Sequence, residues 1–70
     1  MSEFRVIFEP ADDGGWGAYL PDLPGVVALG SSCAEVAQRI REALAAYSEE
    51  MRELGRPLPS PVSSVETVEV

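Results

Sequence analysis

The sequence predicts an α+β domain with a three-stranded antiparallel meander, one long helix on one face of the sheet, and a C-terminal strand. Three observations lead to this fold class. Two short alternating segments flank a glycine turn, a capped segment of about six turns has helical periodicity, and the C-terminal residues are rich in β-branched side chains. The predicted order of elements is β-β-β-α-β.

The first two strands form a predicted hairpin. Residues 4–9 alternate between two faces, and residues 16–20 do the same. Asp12-Asp13-Gly14-Gly15 between them is turn composition, because glycine can adopt the positive φ that a tight hairpin requires. In the first strand Phe4, Val6 and Phe8 share one face, and Arg5, Ile7 and Glu9 share the other; in the second, Trp16, Ala18 and Leu20 lie opposite Gly17 and Tyr19.

A bend and a short third strand follow the hairpin. The segment Pro21–Gly25 contains two prolines and a glycine, and each proline lacks an N–H and fixes φ. We therefore expect a bulge or a rigid bend there. The apolar run Val26–Leu29, closed by Gly30, is then the third strand of the meander.

The helix is the clearest predicted element. Ser32 and Glu35 have the spacing of a capping box, in which each side chain bonds the backbone N–H of the other residue. Glu35 and Arg39 are placed for an i,i+4 ion pair. Gly55 is the expected residue after the C-terminus, and Pro57 prevents continuation. Apolar residues recur with helical spacing at Val36, Ile40, Ala43, Leu44, Tyr47, Met51 and Leu54.

The C-terminal part of the chain predicts a stiff connector and an outer strand. Residues 56–61 contain three prolines and favour an extended linker over a polyproline ligand. Residues 62–70 are β-branched and partly alternating. A right-handed crossover through the helix would bring this strand back parallel to one already in the sheet. One helix covers only one face of such a sheet, so the other face is expected to be exposed or covered by another chain.

The amino-acid composition excludes several classes of functional site. The 70 residues include no His, no Lys and one Cys, with 12 acidic residues against 5 Arg and a net charge of −7. An internal disulfide, an ordinary zinc site and a His-dependent nucleophile are thereby excluded. The negative charge opposes autonomous nucleic-acid binding and favours a basic protein partner, although acidity alone also serves solubility. A core this small, without a disulfide or a structural metal to stabilise it, predicts oligomerisation. A dimer is expected by symmetry, and a tetramer is left open.

Carboxylates are the main candidates for catalytic or metal-binding groups. Asp12, Asp13 and Asp22 lie near the ends of the first hairpin, and paired acids can hold Mg²⁺. Turn and bend composition explains them more simply, so we predict a structural role, no metal and no cofactor. Cys33 at the helix start has no base or resolving Cys nearby, which favours a structural residue over a nucleophile.

Two aromatic residues in the second strand point towards protein binding. Trp16 and Tyr19 fall on opposite faces, so one is expected under the helix and the other on the uncovered face. An aromatic side chain there is a good interface anchor, although a partly covered surface aromatic is the alternative. The chain begins without a secretory signal pattern and has no stretch of membrane-spanning length, which predicts a cytoplasmic protein.

The motif string resembles a known family. Gly15-Trp16-Gly17-Ala18-Tyr19-Leu20-Pro21-Asp22-Leu23-Pro24-Gly25 is followed by a short strand, Gly30 and a polar pair. A helix with Glu35-Val36-Ala37, Ile40-Arg41-Glu42-Ala43-Leu44 and Tyr47 comes next, and then a Gly55-x-Pro57-x-Pro59 exit. From about Phe4 to Pro61 this pattern resembles the HicB-type antitoxins of bacterial and archaeal toxin–antitoxin pairs.

The resemblance implies a partial RNase H-like fold and a non-catalytic binding role. It implies that the chain binds and blocks a small basic mRNA-cleaving toxin, HicA-like, with a double-stranded-RNA-binding-like fold. Many such antitoxins carry a further DNA-binding domain. Residues 1–70 leave no room for a recognition helix and have no basic patch, so we expect a single domain without direct DNA binding.

The leading hypothesis is therefore an antitoxin domain that is not an enzyme. The alternatives are a stand-alone oligomeric scaffold or regulator of the same fold with no toxin, and a vestigial metal-dependent nuclease using Asp12, Asp13 and Asp22. The partner surface is expected in the second strand and the following bend. Its predicted residues are Glu9, Trp16, Tyr19, Asp22 and Leu23.

Overall fold

The computed structural model describes residues 3–69, which form three strands and one helix. These are β1 (Ile7–Pro10), β2 (Trp16–Leu20), β3 (Leu23–Gly30) and α1 (Cys33–Glu53). The strands pair antiparallel in the order β1-β2-β3, and α1 packs mainly over β2 and β3. The predicted meander followed by one helix is confirmed.

The hairpin turn between β1 and β2 is held by local hydrogen bonds. The Ala11 N–H donates to the Gly15 carbonyl over 2.8 Å, and the Gly14 N–H donates to the Ala11 carbonyl over 3.1 Å. The Asp13 carboxylate accepts from the Gly15 N–H at 2.9 Å. Gly14 has φ +87°, a backbone conformation that is strained for any residue with an L side chain. Asp13 is thus an element of the turn, as its sequence context predicts.

The third strand is longer than predicted. It begins at Leu23 instead of Val26 and includes Pro24 and Gly25. Because β3 lies at an edge of the sheet, the missing N–H of Pro24 need not interrupt a ladder. The expected irregularity is a register shift between Tyr19 and Leu20. The first strand is shorter than predicted, since it begins at Ile7 and not at Phe4.

Both ends of α1 are capped. The Ser32 side chain accepts from the Glu35 N–H at 3.1 Å, as the capping box predicts. The Glu35 carboxylate does not complete the reciprocal bond to Ser32, because it accepts from the N–H and hydroxyl of Ser31 instead. At the C-terminus Gly55 has φ +69° and donates to Arg52, while Arg56 donates to Met51, which is a complete Schellman motif.

The core lies between α1 and one face of the sheet. Its buried members come from β2, β3 and the first two turns of the helix, and half-buried side chains from the N-terminal segment and the later helix pack against them. The helical periodicity therefore marks the packed face correctly, except that Leu54 is 57% exposed beyond the last turn. The buried residues are Ala18, Leu20, Leu23, Val26, Val36 and Ile40.

Within the described residues, the predicted C-terminal strand is not formed. Residues 57–69 contain neither helix nor strand, and Val70 lies outside the described residues. A strand requires a hydrogen-bonded neighbour, and no described strand pairs with this segment. Its β-branched side chains remain in solvent, with Val65 67% and Val68 79% exposed. The segment instead touches the domain through Ser63, as described below.

Candidate protein interaction surface

The pairing register places two cross-strand rows on the face of the sheet that points away from α1. In the first row Ile7 pairs with Tyr19, which pairs with Val27. In the second row Glu9 pairs with Gly17, which pairs with Leu29. Since side chains alternate across a strand, all of these lie on one surface. We call it the open face and define it as Ile7, Glu9, Gly17, Tyr19, Val27 and Leu29.

The open face is apolar and exposed. Tyr19 is 41% exposed, Val27 59% and Leu29 73%. The Leu29 side chain leans over the strand beside it, since a Cβ on Gly17 would lie 3.3 Å from Leu29 Cδ2. Glu9 is the one charged member. A contiguous apolar patch with a charged rim is typical of a protein-binding surface.

The structure separates the five predicted partner-binding residues. Glu9 and Tyr19 lie on the open face, and Asp22 lies in the turn between β2 and β3. Trp16 is half-buried on the helix side and packs against the core, which confirms that the two aromatics divide between the faces. Leu23 is only 2% exposed, so it presents almost no surface to a partner.

Asp22 binds a distant part of the chain itself. Its carboxylate accepts the Ser63 hydroxyl at 2.8 Å and the Ser63 N–H at 3.2 Å from each oxygen. The hydrogen bond from the Ser63 side chain lowers the pKa of Asp22, and backbone N–H groups and the positive charge of Arg5 act in the same direction. This contact, which we call the tail clamp, joins the C-terminal segment to the sheet.

A second polar cluster fixes the start of α1 against β3. Arg39 donates to the Leu29 carbonyl at 2.6 Å and forms an ion pair with Glu35 at 3.0 Å. Glu35 in turn accepts from Ser31. Because β3 is an edge strand, the guanidinium covers part of an edge that would otherwise be open to pairing. The predicted i,i+4 pair of Glu35 and Arg39 is confirmed.

The described residues offer binding surfaces more than reactive groups. Within residues 3–69 there is no group of three or more His, Cys, Asp or Glu side chains that could hold a metal ion. A shallow depression of about 300 Å³ lies between the hairpin turn and the start of α1. Its Asp13 carboxylate and Ser31 hydroxyl are already hydrogen-bonded within the turn and the helix cap.

Three residues that matter for these surfaces were missed by sequence reasoning. Val27 and Leu29 alternate with the buried Val26 and half-buried Ala28, so period-two alternation along the third strand would have placed them on the open face. Ser63 gave no comparable signal. Its partner is 41 positions away, and a serine in a polar tail is unremarkable without the fold.

Comparison with known proteins identifies the family. A model of the HicB-like antitoxins of bacterial toxin–antitoxin systems matches residues 4–70. The chain belongs to this HicB-like antitoxin family. The match covers both hairpin strands, the third strand, the helix and the tail, so family membership does not depend on one motif.

A solved structure supports the same assignment for the fold. The N-terminal domain of the Burkholderia pseudomallei antitoxin HicB is 28% identical and superposes with a TM-score of 0.78 over 87% of this chain and 72% of that chain. No curated protein matches the sequence. The α+β fold of the HicB N-terminal domain is therefore confirmed.

Family membership supports a role in a toxin–antitoxin module, with a HicA-like toxin as the general kind of partner. Such a role is a binding role and agrees with the character of the open face. Separately, α1 is not apolar enough to cross a bilayer, and the described residues contain no other helix that could do so.

Proposed function

We propose that this domain is a non-catalytic antitoxin that binds a small basic mRNA-cleaving toxin and covers its RNA-binding site. The observation that carries the proposal is the membership of residues 4–70 in an antitoxin family, combined with an exposed apolar face on an acidic domain. Blocking a ribonuclease by coverage requires no reactive group in the antitoxin. It requires only that the surface which grips RNA be occupied by protein.

Charge supports a basic partner. The sequence carries 12 acidic residues and 5 Arg, and two of the arginines are paired within α1, Arg39 with Glu35 and Arg52 with Glu49. In the segment before α1 only Arg5 opposes the carboxylates. Of these carboxylates Glu9 lies on the open face, and Asp12, Asp13 and Asp22 lie in the turns that connect its strands. A protein that grips RNA through Lys and Arg meets this side favourably.

The proposed contact surface is the open face, with Tyr19 as its anchor. Tyr19 lies centrally between Ile7 and Val27, and an aromatic surrounded by apolar neighbours is the usual character of a binding hot spot. Glu9 supplies a charge at the rim. Trp16 and Leu23 act from the helix side, by fixing the strands that present these side chains.

We also propose that Asp22, in the turn between β2 and β3 next to the open face, contributes to partner binding. The tail clamp occupies its carboxylate, so its contribution to a partner is the negative charge and the position of the tail. The proposal assigns no DNA binding to this domain, because its net charge of −7 opposes phosphate contacts.

The test uses the product of the gene adjacent to this one, which the proposal expects to be a small basic protein. It is co-expressed with the wild-type domain or with one of two variants, and both co-purification and growth rescue are measured. Val27→Asp adds a charge to the open face, and Val65→Asp adds the same charge to a valine of similar exposure in the tail. We expect Val27→Asp to weaken binding by about tenfold or more and to abolish rescue, because a buried carboxylate is costly.

Val65→Asp is expected to behave as the wild type in both measurements. If the wild-type domain neither binds the basic neighbour nor rescues growth, the proposal is contradicted, and a stand-alone scaffold or regulator becomes the better account. Equal effects of the two variants would instead contradict the assignment of the open face.

A further inference from the structure

The hairpin turn contains a peptide bond with a reactive side chain beside it. Asp13 is followed by Gly14, whereas the other two aspartates, Asp12 and Asp22, are followed by residues with bulky side chains. The backbone nitrogen of the next residue can attack an aspartyl carboxyl, and glycine hinders this attack least because it has no side chain. The sequence contains no Asn, so the bond between Asp13 and Gly14 is its main candidate for this kind of rearrangement.

The rearrangement passes through a five-membered ring. The backbone nitrogen of Gly14 forms a bond to Cγ of the protonated Asp13 carboxyl, and one water leaves with the amide hydrogen and the carboxyl hydroxyl. Water then opens this succinimide at either carbonyl. Opening at Cγ returns aspartate, and opening at the backbone carbonyl carbon gives an isoaspartyl bond, in which the chain runs through Cβ and Cγ. One water is lost and one is added, so the product has the mass of the starting chain.

The folded turn holds both reacting groups in hydrogen bonds. The Gly14 N–H donates to the Ala11 carbonyl at 3.1 Å, and the Asp13 carboxylate accepts from the Gly15 N–H at 2.9 Å. The Ala11 N–H closes the turn on the Gly15 carbonyl at 2.8 Å. Attack requires the nitrogen to lose its proton and the carboxyl to turn away from Gly15. These hydrogen bonds must therefore open first, as they must for amide hydrogen exchange.

Burial adds no protection to this bond. Asp13 and Gly14 are exposed, and a Cβ built on Gly14 would meet nothing within 4 Å. Water therefore reaches the succinimide, and the ring has space to form. Opening of the turn is consequently the step that controls the reaction, and an exposed turn opens at a lower free-energy cost than the core strands and helices.

We propose that the bond between Asp13 and Gly14 is a self-modification site that the hairpin turn protects. The bond converts to an isoaspartyl linkage when the turn opens, and the closed turn slows this conversion. The product adds one methylene group to the main chain and moves the carboxylate off Cγ. The carboxylate can then no longer hold the Gly15 N–H in the same geometry.

The modified turn acts on the strands that it connects. Pro10 and Trp16 form the pair of β1 and β2 next to the turn. Gly15, just before Trp16, has little room to move, since a Cβ there would lie 3.0 Å from the Gly30 carbonyl oxygen. A longer main chain on one side of this contact therefore loosens the end of the hairpin.

The test measures isoaspartate formation in the whole chain at neutral pH, under native conditions and in guanidinium chloride that unfolds it. Cleavage after glutamate releases residues 10–35, in which electron-transfer fragmentation distinguishes the two linkages at Asp13. We expect isoaspartate to form at Asp13 in the unfolded chain and about tenfold or more slowly in the folded one. Asp12, in the same peptide, is the internal reference and should convert more slowly than Asp13 in the unfolded chain.

Ala11→Pro tests the turn without changing the reacting pair, because it removes the N–H that donates to Gly15. Val65→Pro is the matched control, since it adds a proline at an exposed position of the tail outside any helix or strand. Under native conditions we expect Ala11→Pro to convert at Asp13 within about threefold of the unfolded rate, and Val65→Pro to convert as the wild type does. Circular dichroism checks that both variants are folded.

Three results would overturn the inference. These are equal rates in the folded and unfolded wild type, no isoaspartate at Asp13 in the unfolded chain, and a folded Ala11→Pro that converts as slowly as the wild type. The first two concern the wild-type chain and do not depend on the folding of a variant. No partner takes part in the reaction, so failure here leaves the proposed function standing.

Discussion

The two faces of the same three strands differ in what covers them. Towards α1, Ala18, Leu20 and Val26 are at most 4% exposed, whereas Tyr19 and Val27, their neighbours in sequence, are 41% and 59% exposed. Composition does not separate the faces, because both are largely apolar. The difference indicates that one face stabilises the fold and that the other is available for a partner. Substitutions on the helix-covered face should therefore lower stability, and substitutions on the open face should weaken partner binding.

The largest expected effect is on the helix-covered face. Leu20 is fully buried, and Leu20→Ala should lower the free energy of unfolding by about 2–5 kcal/mol, because it removes buried methyl groups and leaves a cavity. Val27→Ala, on the open face, should change it by less than about 0.5 kcal/mol. Urea denaturation of the two variants measures both.

This pair of substitutions tests whether the two faces of the sheet have separate roles. Similar losses of stability for Leu20→Ala and Val27→Ala would mean that the open face is also part of the folding core. A loss of stability for Leu20→Ala alone, together with weaker toxin binding for Val27→Ala, would support separate roles for the two faces.

The next effect concerns the helix that covers one face. The Ser32 hydroxyl caps α1 by accepting from the Glu35 N–H, and Ser32→Ala should cost about 1 kcal/mol of stability. Ser64→Ala, in the exposed tail, is the matched control and should be neutral within about 0.5 kcal/mol. Thermal unfolding of both variants is the measurement. A neutral Ser32→Ala would show that the cap does not hold the helix start.

The smallest expected effect is the pH dependence of the tail clamp. Folding lowers the pKa of Asp22, because Ser63 donates to the charged carboxylate. The contribution of the tail clamp to stability is therefore fully present above the pKa that Asp22 has in the unfolded chain. It is lost as the pH falls below about 4 and through the lowered pKa of the folded state. The protection factor of the Ser63 amide against hydrogen exchange should fall over that range. In Asp22→Asn it should be low and independent of pH, and persistent protection there would contradict the clamp.

The sequence predicts local structure well where a local cause exists. The hairpin turn, the Ser32 cap, the Gly55 terminus and the Glu35–Arg39 pair all depend on residues within a few positions of one another. The same short-range signals predict the α+β fold, and the motif string predicts the family. The helical stripe also identifies Val36 and Ile40 as the residues that enter the core.

What the sequence could not predict depends on distant contacts. The β-branched tail has the composition of a strand, but pairing requires a neighbouring edge, and Ser63 binds Asp22 instead. Pro24 reads as an interruption, although at a sheet edge it is accommodated within β3. The burial of Leu23 follows from the register shift that places it opposite Leu20. The prolines of Pro21–Gly25 predict an irregularity there, but they do not predict which side chain it buries.

The most direct test of the account is methyl NMR of the domain during titration with the product of the adjacent gene, which the proposed function expects to be a small basic protein. We predict that the methyl groups of Ile7, Val27 and Leu29 shift on binding, while those of the buried Val36 and the exposed tail residue Val65 stay nearly unchanged. Shifts confined to the tail or to the helix side, with the open-face methyl groups unaffected, would contradict the claim that the open face receives the partner.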